Sequence, residues 1–490
     1  MRGLLKLVGL LLGAVAILAM VLLWNVLRLP ALPAAGAGAM PPPADLHAAA
    51  ERLAAAIRIR TVSHGFANKP GEQDFAALHT LLARSFPRTH ATLTRETVGT
   101  WSLLYTWPGT DPTLAPVLLT AHQDVVPIEA GTEGQWTHPP FAGVIADGYV
   151  WGRGSLDNKQ MLMATLEGVE RLLAAGFQPR RTVLLAFGHD EELGGPLGAR
   201  AITDLLAERK VRAQFSLDEG SAILDGVIPG VARPVAQIGL AEKGFLSLAL
   251  KASAKGGHSS MPPSQTAIGK LGRAIARLED TPLPASLDGP GGDGLRAIAP
   301  AMPIAARVAI ANQWLFRPLL LRQLSASPTT NALIRTSTAP TLINGGIKDN
   351  VLPTEATAVV NFRLAPGDTV AAVKTHVARA IDDPEVALAD YRGEGTEATP
   401  GADGDGPGFR VIAEAARSIA PEAIVAPGLV VTGTDSKHYS RVSAAAYRFT
   451  PMRLKPEDIR RIHAANERIA IANYGEIINF YVSLIRAATS

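Results

Sequence analysis

Seven residues of this chain have the types and setting for metal or acid–base chemistry: His122, Asp124, Asp157, Glu191, Glu192, Asp218 and His463. Imidazole nitrogens and carboxylates without sulfur suit a hydrolytic zinc ion or a related divalent ion. The sequence contains no cysteine, which removes thiolate metal sites, disulfides and a cysteine nucleophile together. Catalysis must fall to His, Asp, Glu, Ser or Lys. Three competing signatures are missing: the G-x-S-x-G nucleophile elbow, the Walker A phosphate loop and the H-E-x-x-H zinc helix.

His122 and Asp124 lie two apart on a strand-like segment, so the carboxylate can accept the second imidazole N–H of a ligating histidine. A lone His-x-Asp is more often a solvated loop pair. Here the apolar run Val117-Leu118-Leu119-Thr120-Ala121 before it and Val125-Val126-Pro127 after it favour burial. Asp157 follows Gly152-Arg153-Gly154-Ser155-Leu156, where two glycines permit a tight turn that aims a carboxylate into a pocket, although by itself it also reads as a helix N-cap. Glu191-Glu192 is the more telling pair. Burying adjacent carboxylates is costly unless a metal or a proton compensates, so one can ligate while the other carries a proton; two solvated loop glutamates are the alternative.

The elements that must hold these residues follow from the apolar pattern. At about 100–200 residues per domain, 490 residues allow two to four domains. Val117 to Ala121, Thr182 to Gly188 and Gln214 to Leu217 read as buried strands, running out at His122, at His189-Asp190-Glu191-Glu192 and at Asp218. Helical stretches, such as Lys159 to Ala175, alternate with them. That alternation predicts an α/β fold with a mostly parallel central sheet and functional residues gathered at strand C-termini. From Lys243 to Asp390 the texture turns to β-rich alternation, with a Pro/Gly-rich loop at Pro284 to Gly294, which predicts an inserted α+β domain. The expected catalytic domain is therefore split into 45–242 and 391–490 around an insertion at 243–390, and it closes on a helix from Tyr474 to Ala487.

The 21 residues from Leu7 to Leu27 carry no charge, and at ~1.5 Å per residue a helix of that length spans the ~30 Å hydrocarbon layer. Arg2 and Lys6 precede the run and Arg28 follows it, which orients the N-terminus to the cytoplasm. Segment 1–29 reads as a membrane anchor, or as a signal segment cleaved at Ala35-Gly36-Ala37 or Ala37-Gly38-Ala39, with 30–44 as a Pro/Ala/Gly-rich linker. Either way the body lies outside the cytoplasm, and it is secreted or periplasmic if the segment is cleaved. A net charge of +3 with no block of like charge gives no reason to expect a nucleic-acid partner.

Taken together, Leu118-Leu119-Thr120-Ala121-His122-Gln123-Asp124-Val125-Val126-Pro127, Gly152-Arg153-Gly154-Ser155-Leu156-Asp157-Asn158-Lys159 and Gly188-His189-Asp190-Glu191-Glu192 resemble the M20 metallopeptidase family of aminoacylases and carboxypeptidases. The resemblance continues through Asp218-Glu219-Gly220, Gly257-His258-Ser259-Ser260, Asn350-Val351-Leu352-Pro353 and Ile462-His463-Ala464-Ala465-Asn466-Glu467, covering about residues 45 to 490 in the family's order. Ala464 stands where the family often has Gly. Gln313-Trp314-Leu315-Phe316 and Thr330 to Thr336 are similar to the branch of N-fatty-acyl-amino acid synthase/hydrolases and Gly-X carboxypeptidase S.

The resemblance implies two zinc ions, with cobalt or manganese as other candidate metals. Asp157 would bridge them, His122 and Asp218 would ligate one, and Glu192 and His463 the other. Glu191 would be the general base, Asp124 would orient His122, and His258, from a ferredoxin-like lid and dimerisation domain, would stabilise the oxyanion. Asn350 and Arg363 resemble lid residues that contact substrate. The expected activity is release of a C-terminal amino acid from N-acyl or N-fatty-acyl amino acids, in principle reversibly. The rivals are a Gly-X type carboxypeptidase acting on short peptides and, more remotely, a metal-free anchored binding protein. The apolar stretch from Ile304 to Leu324 would line an acyl-chain site, or else form lid core or a homodimer contact.

Overall fold

Strands buried on both faces need apolar side chains at consecutive positions, and the computed structural model, which describes residues 2–32, 38–65 and 71–490, shows where each face goes. In Val117–His122, Val117, Leu119 and Ala121 enter one core while Leu118 enters another. Val183–Gly188 splits the same way, with Val183, Leu185 and Phe187 opposed to Leu184 and Ala186. The first face is covered by helices Leu46–Arg58, Lys159–Ala174, Pro407–Ile419 and Ile471–Thr489. The second is covered by Ala199–Glu208 and the short helix Ser436–Tyr439.

These strands belong to a ten-stranded sheet. Its centre is parallel: Val117–His122 lies between Val183–Gly188 and Phe215–Asp218, and Ala446–Arg448 runs parallel to the latter. Ser102–Trp107 pairs antiparallel at one side, and Val235–Glu242 crosses antiparallel to Ala446–Arg448 at the other. Three adjacent parallel strands therefore end side by side, and the chain leaves them at His122, at Gly188 and at Asp218. Such an edge is where α/β sheets bind ligands.

A second sheet is built from Ser337–Gly345, Glu355–Leu364, Gly244–Ser253 and Val386–Asp390, in that spatial order and antiparallel throughout. Helices Ala267–Asp280 and Val370–Ile381 pack on it around Leu248, Leu250, Val360 and Phe362. Strand, helix, two strands, helix and strand is the succession of a ferredoxin-like unit.

The expected loop from Pro284 to Gly294 is in part a helix, Pro290–Ile298, seated on strand Ile424–Val430. Its glycines allow this: a methyl group on Gly294 would lie 2.6 Å from the Pro427 carbonyl oxygen. Three more helices, Ile304–Ala311, Gln313–Ser325 and Pro328–Ile334, follow it. Within the stretch expected as an acyl site or lid core, Ile310 and Leu320 are buried, but Ile304, Trp314, Leu315 and Leu319 are exposed.

Arg2–Leu27 forms one uninterrupted helix with no buried residue, and it is the one described helix long and apolar enough to cross a membrane. The segment after it is not a free tether where it is described. Leu29 and Leu32 pack on the body, Met40 donates its N–H to Ser418, and Asn479 donates to the Pro41 carbonyl. The two candidate cleavage sites fall wholly or partly outside the described residues.

Candidate metal centre

His122 ends its strand with almost no solvent exposure, and its ring is fixed from both sides. Nδ1 lies 2.9 Å from the backbone oxygen of Asp124 and 3.4 Å from its carboxylate. Nε2 lies 3.0 Å from Asp157 Oδ1 and 3.3 Å from Glu219 Oε1. The other oxygen of Asp157 lies 3.0 Å from His463 Nε2, which is 3.4 Å from Glu192 Oε2. One carboxylate thus spans two histidines that come from opposite ends of the catalytic unit. In three overlapping triads, His122 with Asp157 and Glu219, His122 with Glu191 and Glu192, and Asp157 with Glu192 and His463, the candidate ligand atoms lie within 4.8 Å of one another.

The buried Asp124 carboxylate does more than face His122. Its two oxygens accept the backbone N–H groups of Glu191 at 3.1 Å and Glu192 at 3.2 Å, and Ser63 donates to it at 2.6 Å. It therefore pins the loop that carries the glutamate pair as well as the histidine.

Asp218 does not join the triads. Thr120 on the neighbouring strand donates to its Oδ1 at 2.6 Å while its Oδ2 is buried without a partner, and Glu219, the first residue past the strand end, lies against His122. Asn158 donates to Glu219 at 2.5 Å and fixes that reach. Glu219 thus stands beside the expected ligand pair of His122 and Asp218 as a further candidate ligand. A carboxylate inside the last ladder position is level with its cross-strand neighbour, whereas one residue later it is free to turn into the crevice.

Glu467 is the second residue that the sequence reading left without a role. Its Oε1 accepts N–H groups from Gly154 at 2.9 Å, Leu156 at 2.8 Å and Asp157 at 3.2 Å, while Oε2 pairs with Arg153 at 2.5 Å. Glu467 and Arg153 are both almost fully buried. Glu467 follows His463 with only three residues between them, so a single short segment supplies the histidine and clamps the loop that aims Asp157. The signal was available: a buried loop crowded with N–H groups needs an acceptor.

His258 and Asn350 lie elsewhere. Gly257–His258 pairs with Val351–Leu352 in a two-stranded ladder, Ser259 donates its N–H to Asn350, and His258 Nδ1 is 2.8 Å from Ser260 Oγ. His258 and Asn350 are both exposed. Arg363 is half-buried, with its guanidinium 4.9 Å over the Phe245 ring and near Gly433, which precedes the buried Asp435. The structure therefore groups His258 with Asn350 on the inserted unit, apart from the His122 triads.

The charges in the centre show what it lacks. Burial alone would raise Asp157, yet hydrogen bonds from His122 and His463 hold its carboxyl well below the usual carboxylate range. The same bond from Asp157, with one to Glu192, pushes His463 up to about 10. Burial and the Asp157 charge push Glu219 up to about 7, and burial drives Glu191 well above its ordinary value. Glu192 Oε1 is buried without a partner. Four carboxylates and two imidazoles in a partly dry pocket compete for too little positive charge, which is the donor set that divalent cations satisfy. The residues present fit a metal centre.

The model for peptidase family M20/M25/M40 matches residues 118–487. The chain belongs to this family. It is 40% identical over 444 residues to the N-fatty-acyl-amino acid synthase/hydrolase PM20D1 of Mus musculus, covering 89% of this chain and 87% of the relative. Identity to the probable carboxypeptidase S-like 2 of Dictyostelium discoideum is 39% over 448 residues, covering 89% and 84%. Carboxypeptidase S of Saccharomyces cerevisiae is 31% identical, covering 90% and 84%. Among solved structures, an M20 family metallo-carboxypeptidase from Sulfolobus solfataricus superposes with a TM-score of 0.65 at 18% identity, covering 91% of this chain and 99% of the other. That likeness carries the M20 fold. M20 peptidases typically hold two metal ions, in keeping with the overlapping triads.

Proposed function

We propose that this M20 hydrolase cleaves the amide bond of N-acyl-amino acids, N-fatty-acyl-amino acids among them, releasing the C-terminal amino acid at a two-zinc centre. The observation that carries the reading is the single carboxylate of Asp157 set between His122 and His463, with Glu191 close to His122. His122 and Glu219 would hold one ion, Glu192 and His463 the other, with Asp157 between them. When bound, paired metal ions activate water near neutral pH and polarise an amide carbonyl. Glu191, whose buried carboxyl holds a proton more tightly than a free one, takes the proton from the attacking water and returns it to the leaving nitrogen. Asp124 keeps Glu191 in reach through the backbone bond already described. His258 would donate to the oxyanion once the inserted unit, acting as a lid, turns towards the centre, with Asn350 and Arg363 on the substrate. Hydrolysis and condensation share a transition state, so the same residues serve both directions.

The relative named as a fatty-acyl-amino acid synthase/hydrolase supports the acyl substrate, and the carboxypeptidase S relatives support short peptides as the second reading. The apolar helix Arg2–Leu27 supports export of the body, by an anchor that leaves the N-terminus in the cytoplasm or by cleavage. A homodimer formed through the inserted unit is part of the proposal. The deciding assay compares N-oleoyl-phenylalanine with a Gly-Leu dipeptide, using zinc-loaded protein with and without chelator. Chelator-sensitive cleavage of the lipid substrate is the expected outcome. Cleavage of the dipeptide alone would make the chain a carboxypeptidase, and cleavage that survives complete metal removal would reject the metal centre.

A further inference from the structure

The helices after Gly289 present apolar surface to solvent at one place, and that place adjoins the N-terminal helix. On Gln313–Ser325 the apolar residues Trp314, Leu315, Pro318 and Leu319 are exposed on one side, which Arg322 shares one turn nearer the helix end, with Leu320 buried beneath. Trp314 and Leu319 are 64% and 56% exposed, and Ile304, at the start of the preceding helix, is exposed too. A contiguous apolar patch on a folded body marks a contact surface.

The neighbour is fixed by a polar clamp. Asn25 donates to Asn312 Oδ1 at 2.8 Å, and Asn312 donates to the Leu22 carbonyl at 3.2 Å and to the Val308 carbonyl at 2.9 Å. Asn312 is fully buried, and Trp314 Nε1 donates to the same oxygen at 3.4 Å. Amide groups satisfied in this way are compatible with a lipid surrounding, where unpaired ones are not. The depth also agrees. Leu22 precedes the helix end at Leu27 by five residues, or roughly 8 Å at ~1.5 Å per residue, and interfacial helices bury their apolar face by ~5–10 Å. Trp24, with Arg28 stacked 5.0 Å over its ring, marks the same level on the N-terminal helix.

We propose that Gln313–Ser325, with Ile304, is a collar that sinks its apolar side into the outer headgroup boundary of the bilayer spanned by Arg2–Leu27. The occupant of this face is phospholipid. The collar rests on reading Arg2–Leu27 as bilayer-spanning, and it seats the hydrolase on the surface where amphiphilic acyl substrates partition.

A chain without cysteine accepts single nitroxide labels without background. Full-length Val15→Cys, Leu319→Cys and, as an exposed control, Asp405→Cys are labelled in phosphatidylcholine–phosphatidylglycerol vesicles. Electron paramagnetic resonance then compares collisions with oxygen, which partitions into lipid, and with a water-soluble nickel chelate. Labels at 15 and 319 should favour oxygen over nickel several-fold relative to 405. Leu315→Cys repeats the reading should Leu319→Cys not fold. A label at 319 as open to nickel as 405, with 15 immersed in lipid, overturns the collar and leaves the anchor standing. A label at 319 shielded from both reagents means a protein cover, such as a second copy, and also overturns it. A label at 15 in water removes the anchor and the collar together.

Discussion

The ten-stranded sheet and the four-stranded sheet treat their polar residues in opposite ways. In the first, helices cover both faces, and several groups at the crevice are fixed by a second one: His122 by Asp124, Glu219 by Asn158, the Asp157 loop by Glu467. In the second, helices pack on one face and the edge strand Ser337–Gly345 is largely exposed, and beside it in the chain His258 rests on a separate ladder of two residues per strand. The centre that would hold metal is organised in advance, whereas the groups proposed to meet substrate sit on a separate unit proposed to turn towards it. Precision is concentrated where charge must be balanced, and adaptability where substrates differ.

Substitutions can break that contrast. Glu191→Gln should lower turnover by at least ~10²-fold with metal content unchanged; turnover near that of the parent would remove Glu191 as the base. His258→Ala should lower kcat by on the order of 10²-fold without altering metal content or the unfolding midpoint, because an exposed residue of the inserted unit contributes nothing to the folded centre. Metal loss in that variant would erase the division between the sheets. Glu467→Gln should act in the reverse sense, weakening metal affinity by about 10–100-fold as second-layer changes do. Glu467→Ala should in addition destabilise the fold by ~3–5 kcal/mol, since Arg153 is left buried without its partner. Metal titration with inductively coupled plasma detection, alongside thermal unfolding, separates the two effects.

Asp218 and Glu219 give a sharper comparison within one motif. Glu219→Gln should reduce bound metal, whereas Asp218→Asn, which keeps an oxygen for Thr120, should leave stoichiometry intact; equal losses would restore Asp218 as a ligand. The smallest effect is on pH dependence. Metal-free Glu219 keeps its proton up to about pH 7 and His463 up to about 10, and both must be free of it to ligate. Metal affinity should therefore fall by about tenfold per unit as pH drops below about 10, where His463 holds its proton, and more steeply below about 7, where Glu219 adds a second. Isothermal titration between pH 6 and 8 reads this directly, and a flat profile would contradict it.

Most of the catalytic sheet was legible because residues such as Val117 to Ala121 are apolar at consecutive positions, a pattern that buried parallel strands require. The approach of His122 and the Glu191–Glu192 loop followed from strand ends, whereas that of Asp157 and His463 was implied by the resemblance to M20 peptidases. The approach of Glu219 to His122 was not legible, because which way a carboxylate turns just past a strand end depends on its neighbours, here Asn158. Pro290–Ile298 was hidden for a similar reason. Glycines that look like loop residues were instead serving close backbone contact with Pro427. The clamp between Asn25 and Asn312 links residues 287 apart, beyond what periodicity can show.

The bond between Asp157 and His463 closes a span of 306 residues, and Glu467 ties the same two segments together. A chain emerging from the ribosome therefore carries most of the candidate ligands long before it carries the last one. The two-histidine centre has no complete form until the final stretch has been made and folded back. If the protein is threaded through a membrane as it is made, the hydrolase stays unassembled during passage, and its completion reports that the whole polypeptide has arrived.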